Sequence, residues 1–254
     1  APAPVAAPAE EVNDTEGHTL IEEPADEQPA EGISNEKTSI VMPGQSPMGG
    51  DELPNVVTML YGTEAADMAA YAASFPLVHE PGSAEAFQYS SGTTNIIAAN
   101  LQRVLGLDVQ GVRDFLEDRI FFPLGMSSFR VDVDTAGTFV GSSYAYATLR
   151  DWCRFGLLAM RGGRWRGTAI VPDGWIDYSR RARSWDDDII HGAHWWTWDQ
   201  DQMPFGAHGF EGQRVICFPT RDVVVVRLGL TPSDGAPALN ARITEIAGCF
   251  PELG

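Results

Sequence analysis

Lysine is almost missing from this chain. Lys37 is the only one, and every other fixed cation is an arginine. Chemistry that needs a lysine ammonium is therefore confined to residue 37. Cysteine is scarce too. Cys153, Cys217 and Cys249 are odd in number and have no C-x-x-C spacing, which argues against zinc and against a disulfide framework. Cys153 and Cys217 sit in apolar runs and read as small buried hydrophobes. No apolar run approaches the roughly 18–20 residues of a membrane span. No signal peptide is visible: Ala1-Pro2-Ala3-Pro4-Val5 has no basic n-region and no Met. The compartment is not readable. Positive charge as a whole is in short supply, with a net charge of −18. That balance opposes nucleic acid, whose phosphates it would repel, and opposes charge-driven binding to anionic lipid.

What is present is uneven. Residues 1–52 hold twelve acidic residues and one basic residue, with much Ala, Pro and Gly. Such a stretch buries too little apolar surface to offset its ordering entropy, and it reads as irregular. Residues 53–254 read as the folded domain, long enough for one sizeable core. Asn55 to Leu60 is a short apolar helix or strand. Thr63 to Ala73 is Ala-rich behind a Thr cap and predicts a helix. Apolar spacing predicts helices over Thr93–Leu105, ended by Gly106, over Val112–Phe122, and over Tyr146–Met160. Pro172 to Arg180 is a short helix with Pro near its first turn. The period then changes: Trp195–Asp199, Gln213–Phe218 and Val223–Leu228 are β-like, and Pro219 to Asp222 is a hairpin turn. Ala238 to Phe250 closes the chain as a helix. Helices in the middle and antiparallel strands late make an α+β domain.

Two short segments carry chemistry. Tyr89-Ser90-Ser91-Gly92 puts a phenol and a hydroxyl two residues apart at a helix start. A phenol there accepts a proton from a serine hydroxyl if a cation lowers its pKa, and Ser91 can face the same cleft. The other reading makes Tyr89 a packed aromatic and Ser90 or Ser91 a helix cap. Downstream, His208-Gly209-Phe210-Glu211-Gly212-Gln213 is a Gly-rich turn opening an apolar β-run. His191 and His194 lack carboxylate partners in clear register and read as loop residues, so no metal site is expected. Nothing in the pattern asks for a cofactor.

The surroundings carry a resemblance. Glu80-Pro81-Gly82 followed by Phe87-Gln88-Tyr89-Ser90-Ser91-Gly92-Thr93-Thr94-Asn95 resembles the central motif of the β-lactamase-related serine hydrolases. That family includes class C β-lactamases, DD-peptidases, family VIII esterases and 6-aminohexanoate-dimer hydrolase-like proteins. Phe121-Phe122-Pro123-Leu124-Gly125-Met126 resembles its F-x-P-L-G-M segment. Thr148-Leu149-Arg150-Asp151-Trp152-Cys153-Arg154-Phe155-Gly156 resembles its T-x-R-D-x-A-R-F-G helix. Gly162 to Gly167 and Ile170-Val171-Pro172 follow as in many members. The match runs from about residue 53 to 252.

The resemblance implies a β-lactamase/transpeptidase-like α+β fold, an antiparallel sheet flanked by helices. It implies catalytic roles for Tyr89 as base or proton relay, for Ser91, and for His208, which lies where the family carries K-T-G or a variant. Gly209, Phe210 and Glu211 follow as substrate-binding positions. Replacing the lysine by His208 disfavours anionic penicillin-like substrates and points to an ester or small amide. The family's nucleophile motif is S-x-x-K, and here only Ser34-Asn35-Glu36-Lys37 has that spacing. Its surroundings do not fit, because Pro43-Gly44 stops the long helix the motif requires. Ala1-Pro2-Ala3-Pro4-Val5 aligns with a segment that follows that helix. The expectation is that the sequence begins downstream of the nucleophile, either as part of a hydrolase or as a degenerate member serving as a binding domain.

Overall fold

The computed structural model describes residues 55–62, 66–77, 89–182, 184–186, 189–198 and 204–253. The acidic segment 1–52, Ser34 and Lys37 lie outside the described residues.

Helices come first. α1 is Asn55–Tyr61, α2 Met68–Ala73, α3 Ser91–Leu105, α4 Val109–Leu116, and α5 the single turn Phe122–Leu124. Their ends follow local chemistry. Asp67 caps α2, its carboxylate accepting the Ala70 N–H at 2.8 Å. The expected helix from Thr63 therefore begins later, because Asp67 satisfies the free N–H groups of a helix start. Ser90 caps α3 by accepting the Gly92 N–H at 3.2 Å, and Gly106 ends it at φ 63°, where a residue without Cβ is least strained. Asp108 caps α4. A π-helical turn, Glu117–Phe121, joins α4 to α5, so the expected single helix over Val112–Phe122 is two elements with an irregular join.

β1 (Arg130–Val131) and β2 (Ala145–Tyr146) pair antiparallel. α6, Leu149–Met160, is capped by Thr148. It starts three residues later than its apolar pattern suggests, since Tyr146 belongs to β2. β3 (Arg164–Trp165) and β4 (Thr168–Ala169) form a small hairpin, and α7 is Trp175–Ser179. The remaining strands make one antiparallel sheet: β5 Ser184–Asp186, β6 Ile189–His191, β7 Trp196–Thr197, β8 Phe205–His208, β9 Arg214–Phe218 and β10 Val223–Arg227. Its order is β10-β9-β8-β7-β6-β5. Three of these strands, β5, β6 and β8, were not legible as strands. α8, Ala236–Gly248, follows.

β9 shows how the core forms. Side chains alternate across a strand. Val215 and Cys217 point to α6, where Phe155, Ala159, Trp152, Trp195 and Phe205 gather. Ile216 and Phe218 point the other way and pack under Ile243 and Ala247 of α8. The sheet is thus covered on both faces at β9 and β10. Cys217 behaves as expected of a buried hydrophobe, its thiol pushed up to about 12 by burial, while Cys153 is half-buried and Cys249 exposed. Among the described residues no helix is long and apolar enough to cross a membrane.

One carboxylate ties the helical part to α6. Burial alone would push Asp151 up. The Ser128 hydroxyl at 2.5 Å, the Ser128 N–H at 2.9 Å and Arg154 at 2.5 Å outweigh it and hold the carboxyl below its usual range.

The α6 contact with the sheet is close because Gly156 has no side chain. A Cβ there would meet Val224 Cγ1 at 2.5 Å and Val215 Cγ1 at 2.9 Å. Gly156→Ala is expected to destabilise by about 1–3 kcal/mol, the usual cost of overpacking a filled core, despite alanine's better helix propensity. Urea unfolding measures this; unchanged or raised stability would show that the helix does not lie this close.

Candidate active site

The site is built on the sheet face that β9 turns toward α8. Register places its groups. His191 pairs with Trp196, Trp196 with Gly206, and His208 with Arg214. Directly opposed residues of antiparallel strands share a face, so His191, Trp196, His208 and Arg214 stand together although up to 23 residues separate them in sequence.

The rings confirm it. His208 stacks on Trp196, centroids 4.9 Å apart and planes 9° apart. Trp198 leans on His208 at 5.0 Å, and His191 meets Trp196 edge-on at 5.8 Å. Tyr89 comes from outside the sheet, one residue before the Ser90 cap of α3. Its ring lies 5.1 Å from Trp196 and 5.4 Å from His191. Tyr89 and His208 each lie about 5 Å from the Trp196 ring, which holds their centroids within about 10 Å of each other.

Ser91 starts α3 and is 5% exposed, its hydroxyl without a hydrogen-bond partner among the described residues. One turn on, Asn95 is 1% exposed. Its amide oxygen accepts the Ser142 N–H at 3.3 Å, and its amide N–H groups reach the sulfurs of Met59 and Met68. Asn95 thereby locks the start of α3 to α1, α2 and the loop before β2. The helix-cap reading holds for Ser90 and leaves the Ser91 side chain available.

Past His208 the chain turns. The Gly209 N–H donates to the Gln213 carbonyl at 2.8 Å, so it is already engaged and an oxyanion would need other donors. Phe210 is about half exposed. Glu211 takes a left-handed conformation, φ 54°. Its carbonyl accepts from the Thr231 N–H at 2.8 Å and from Arg227 at 3.1 Å, which ties the turn to the segment after β10 rather than to Tyr89.

Burial sets the electrostatics. It raises the Tyr89 phenol well above its usual value of 10.0, and a hydrogen bond with Trp196 lowers it by less. No lysine stands among the described residues, so nothing of that kind draws the phenol down; it is a neutral donor. His208 is 7% exposed. Burial, then the charges of Arg214 and His191, push it well below the ordinary imidazole value, and its Nε2 has no partner among the described residues. Burial first, then the neighbouring His194, lowers His191 to about 4, against a backbone hydrogen bond at Gly192. At neutral pH the cluster is a set of uncharged donors and acceptors beside the fixed charge of Arg214. Such a set can hand on a proton or face a developing oxyanion.

Sequence reasoning missed His191, Trp196 and Arg214. His191 is not a loop residue; it ends β6 and is buried. His194 does sit in the turn, at φ 67°. The Trp-Thr-Trp alternation at 196–198 was the available signal. Among the described residues no group of three or more His, Cys, Asp or Glu is placed to hold a metal ion.

Comparison with known proteins agrees with this architecture. The family model described as Beta-lactamase matches residues 38–247. A 6-aminohexanoate-dimer hydrolase of Paenarthrobacter ureafaciens is 26% identical over 158 residues, covering 58% of this chain and 40% of that protein. A solved structure from Bacillus anthracis, inferred to be a 6-aminohexanoate-dimer hydrolase, superposes with a TM-score of 0.58 at 24% identity, over 68% of this chain and 47% of that one. A penicillin-binding protein homologue from Caulobacter crescentus gives 0.52 at 15% identity, over 72% and 64%. The solved structures show the β-lactamase/transpeptidase-like fold. The chain spans less than half the length of the Paenarthrobacter and Bacillus proteins.

The histidine pKa shifts make a prediction. An unfolded chain binds a proton on each histidine near pH 6.5; the folded chain binds it on His191 only near 4. Between those values the unfolded state takes up more protons, so stability falls as pH drops from about 6.5 toward 4 and is unaffected by this group above 6.5. Urea midpoints across this window should fall less steeply in His191→Gln than in the parent, whose carboxylates titrate in both. Equal slopes would mean that His191 is solvated.

Proposed function

The chain belongs to the Beta-lactamase family, and from that membership we propose that the Tyr89–Trp196–His208 cluster is the proton-transfer side of a serine hydrolase site that cleaves an ester or small amide through an acyl-enzyme. The observation that carries this reading is the convergence of a phenol and an imidazole, distant in sequence, on one indole ring. Tyr89 is the proton relay. As a neutral phenol it donates, and it becomes a base only when a cation is brought beside it. Ser91 offers its buried hydroxyl to that cation or to the substrate carbonyl. His208 faces the substrate as a neutral imidazole, with Gly209, Phe210 and Glu211 shaping the adjoining turn. The similarity to a 6-aminohexanoate-dimer hydrolase supports a linear amide with flexible aliphatic arms over a fused-ring lactam. So does the absence of a cation at position 208.

The attacking serine is not assigned. The chain's one Ser-x-x-Lys, Ser34 to Lys37, lies outside the described residues and ahead of the family match, which begins at residue 38. Covalent labelling finds it. Incubation of the full-length natural protein with a fluorophosphonate, followed by peptide mapping, should give an adduct on one serine that is not among the described residues. Tyr89→Phe should slow that labelling by about 10²-fold or more, the lower end of what acid–base assistance contributes. No adduct on any serine, or an adduct formed equally fast in Tyr89→Phe, would overturn the reading.

A further inference from the structure

The helical part of the domain holds a cavity apart from the aromatic cluster. Its volume is about 380 Å3. None of Tyr89, His191, Trp196, His208 or Arg214 lines it. Its walls come from the end of α1, the start of α2, Arg113 of α4 and the chain between β1 and β2. One wall is apolar: Leu60, Met68 and Val140 belong to the buried cluster that joins these elements. At about 30 Å3 for each water-sized group, the space takes about a dozen heavy atoms.

The rest of the lining carries both signs of charge. Asp134 is engaged by the fold: its carboxylate accepts the Met68 N–H at 3.0 Å and the Thr138 N–H at 2.8 Å. Asp132 and Arg113 are not so engaged. Both line the cavity, yet they do not pair with each other, and neither side chain makes a hydrogen bond or ion pair among the described residues. Asp132 is exposed and Arg113 half-buried. The guanidinium therefore gives up part of its hydration without gaining a counter-ion, which is unfavourable.

An aromatic corner stands beside Asp132. The Asp132 N–H donates to the Tyr144 carbonyl at 3.2 Å, which extends the β1–β2 ladder by one pair. Tyr144 holds a left-handed φ of 60°, a conformation that is rare and strained for a bulky residue. There its ring meets Tyr61 edge-on, centroids 6.3 Å and planes 84° apart, and its hydroxyl donates to the Leu60 carbonyl at 2.9 Å. Burial first, then Tyr61, then Tyr146 and Asp132, raise the Tyr144 phenol, so the ring stays neutral. Neutral ring faces attract an ammonium, and a carboxylate pairs with it. A guanidinium holds a carboxylate through two parallel hydrogen bonds. A cavity with an unpaired acid, aromatic rings and an unpaired guanidinium is complementary to a molecule that carries an ammonium and a carboxylate together.

We propose that this cavity binds a free α-amino acid as its zwitterion, with the ammonium between Asp132 and the Tyr61–Tyr144 corner and the carboxylate on Arg113. The apolar wall of Leu60, Met68 and Val140 takes the side chain. That wall asks for a third, apolar arm, which a linear ω-amino acid lacks. An aromatic amino acid the size of phenylalanine fills the volume. The site is separate from the proposed hydrolase chemistry and does not rest on it. It adjoins the start of α3, because the Met68 sulfur that borders it also meets the Asn95 amide at 3.9 Å.

L-phenylalanine is the probe. 2-Phenylethylamine, which lacks the carboxylate, and 3-phenylpropanoate, which lacks the ammonium, are the controls. Calorimetric titration of the full-length natural protein gives the affinities. Phenylalanine should bind about 10-fold or more tightly than either control, since each charge-assisted contact is worth at least that factor. Asp132→Asn should bring phenylalanine down to the level of phenylpropanoate. Arg113→Gln should bring it down to the level of phenylethylamine. If Arg113→Gln fails to fold, Asp132→Asn, at an exposed position, still decides. Ala66→Trp, which fills the cavity from its exposed rim, should weaken phenylalanine by about 10-fold or more, the cost of losing the contacts of one buried ring. Tyr89→Phe should leave its affinity unchanged. No binding of phenylalanine, binding no tighter than that of a one-charge control, or binding untouched by Asp132→Asn would each overturn the proposal. So would a loss of binding in Tyr89→Phe, which would put the ligand in the aromatic cluster instead. Failure of serine labelling would sink the hydrolase reading without moving these results, and the converse also holds.

Discussion

The alternation of side chains along one antiparallel sheet is the constraint on which the site depends. A register slip of one residue would send every side chain of a strand to the other face. Register is held where burial is deepest, at β9, whose odd and even side chains are both fully committed, Val215 and Cys217 to α6 and Ile216 and Phe218 to α8. β8 is paired to β9 over four residues, so the position of His208 is inherited from that clamp. β7 and β6 are short, and Trp196 and His191 reach the same face through them. The aromatic contacts then add about 0.5–1.5 kcal/mol per pair beyond their buried area, which helps explain how strands of two and three residues stay in place.

Burial does the rest of the chemical work. It keeps the phenol protonated and the imidazoles unprotonated, so the cluster is dry and neutral, with Arg214 as the fixed charge beside it. Interactions with a developing charge are stronger in such surroundings than in water. The same burial makes the cluster acid-sensitive, since protonating either buried histidine works against the fold. The proposed proton-transfer role and the acid sensitivity are thus two consequences of one desolvated face.

Elements whose signals are local were legible in the sequence. Gly106 and Gly125 end helices where a left-handed residue is needed, and β9 and β10 announce themselves as apolar runs. The boundaries slipped where two local signals competed, as at Asp67 against Thr63 and at Tyr146, which pairs in β2 instead of starting α6. β5, β6 and β8 were not legible for a different reason. They are three or four residues long, and Gly206 interrupts the β pattern at the point where Ile216 needs the space. The site was half legible. Tyr89 and His208 stand in recognisable surroundings, but the burial of His191 and the place of Arg214 opposite His208 exist only once strands distant in sequence are laid side by side.

That Tyr89, which precedes a helix, packs against Trp196 of the sheet is the claim on which the site stands. Nuclear Overhauser contacts between rings test it directly, in protein with protonated Tyr, Trp and His rings on a deuterated background. Centroid separations of 5.1 Å for Tyr89–Trp196 and 4.9 Å for Trp196–His208 predict cross-peaks for both pairs in one spectrum. A Trp196–His208 cross-peak with none between Tyr89 and Trp196 would leave the sheet face intact but part the phenol from it, contradicting the account.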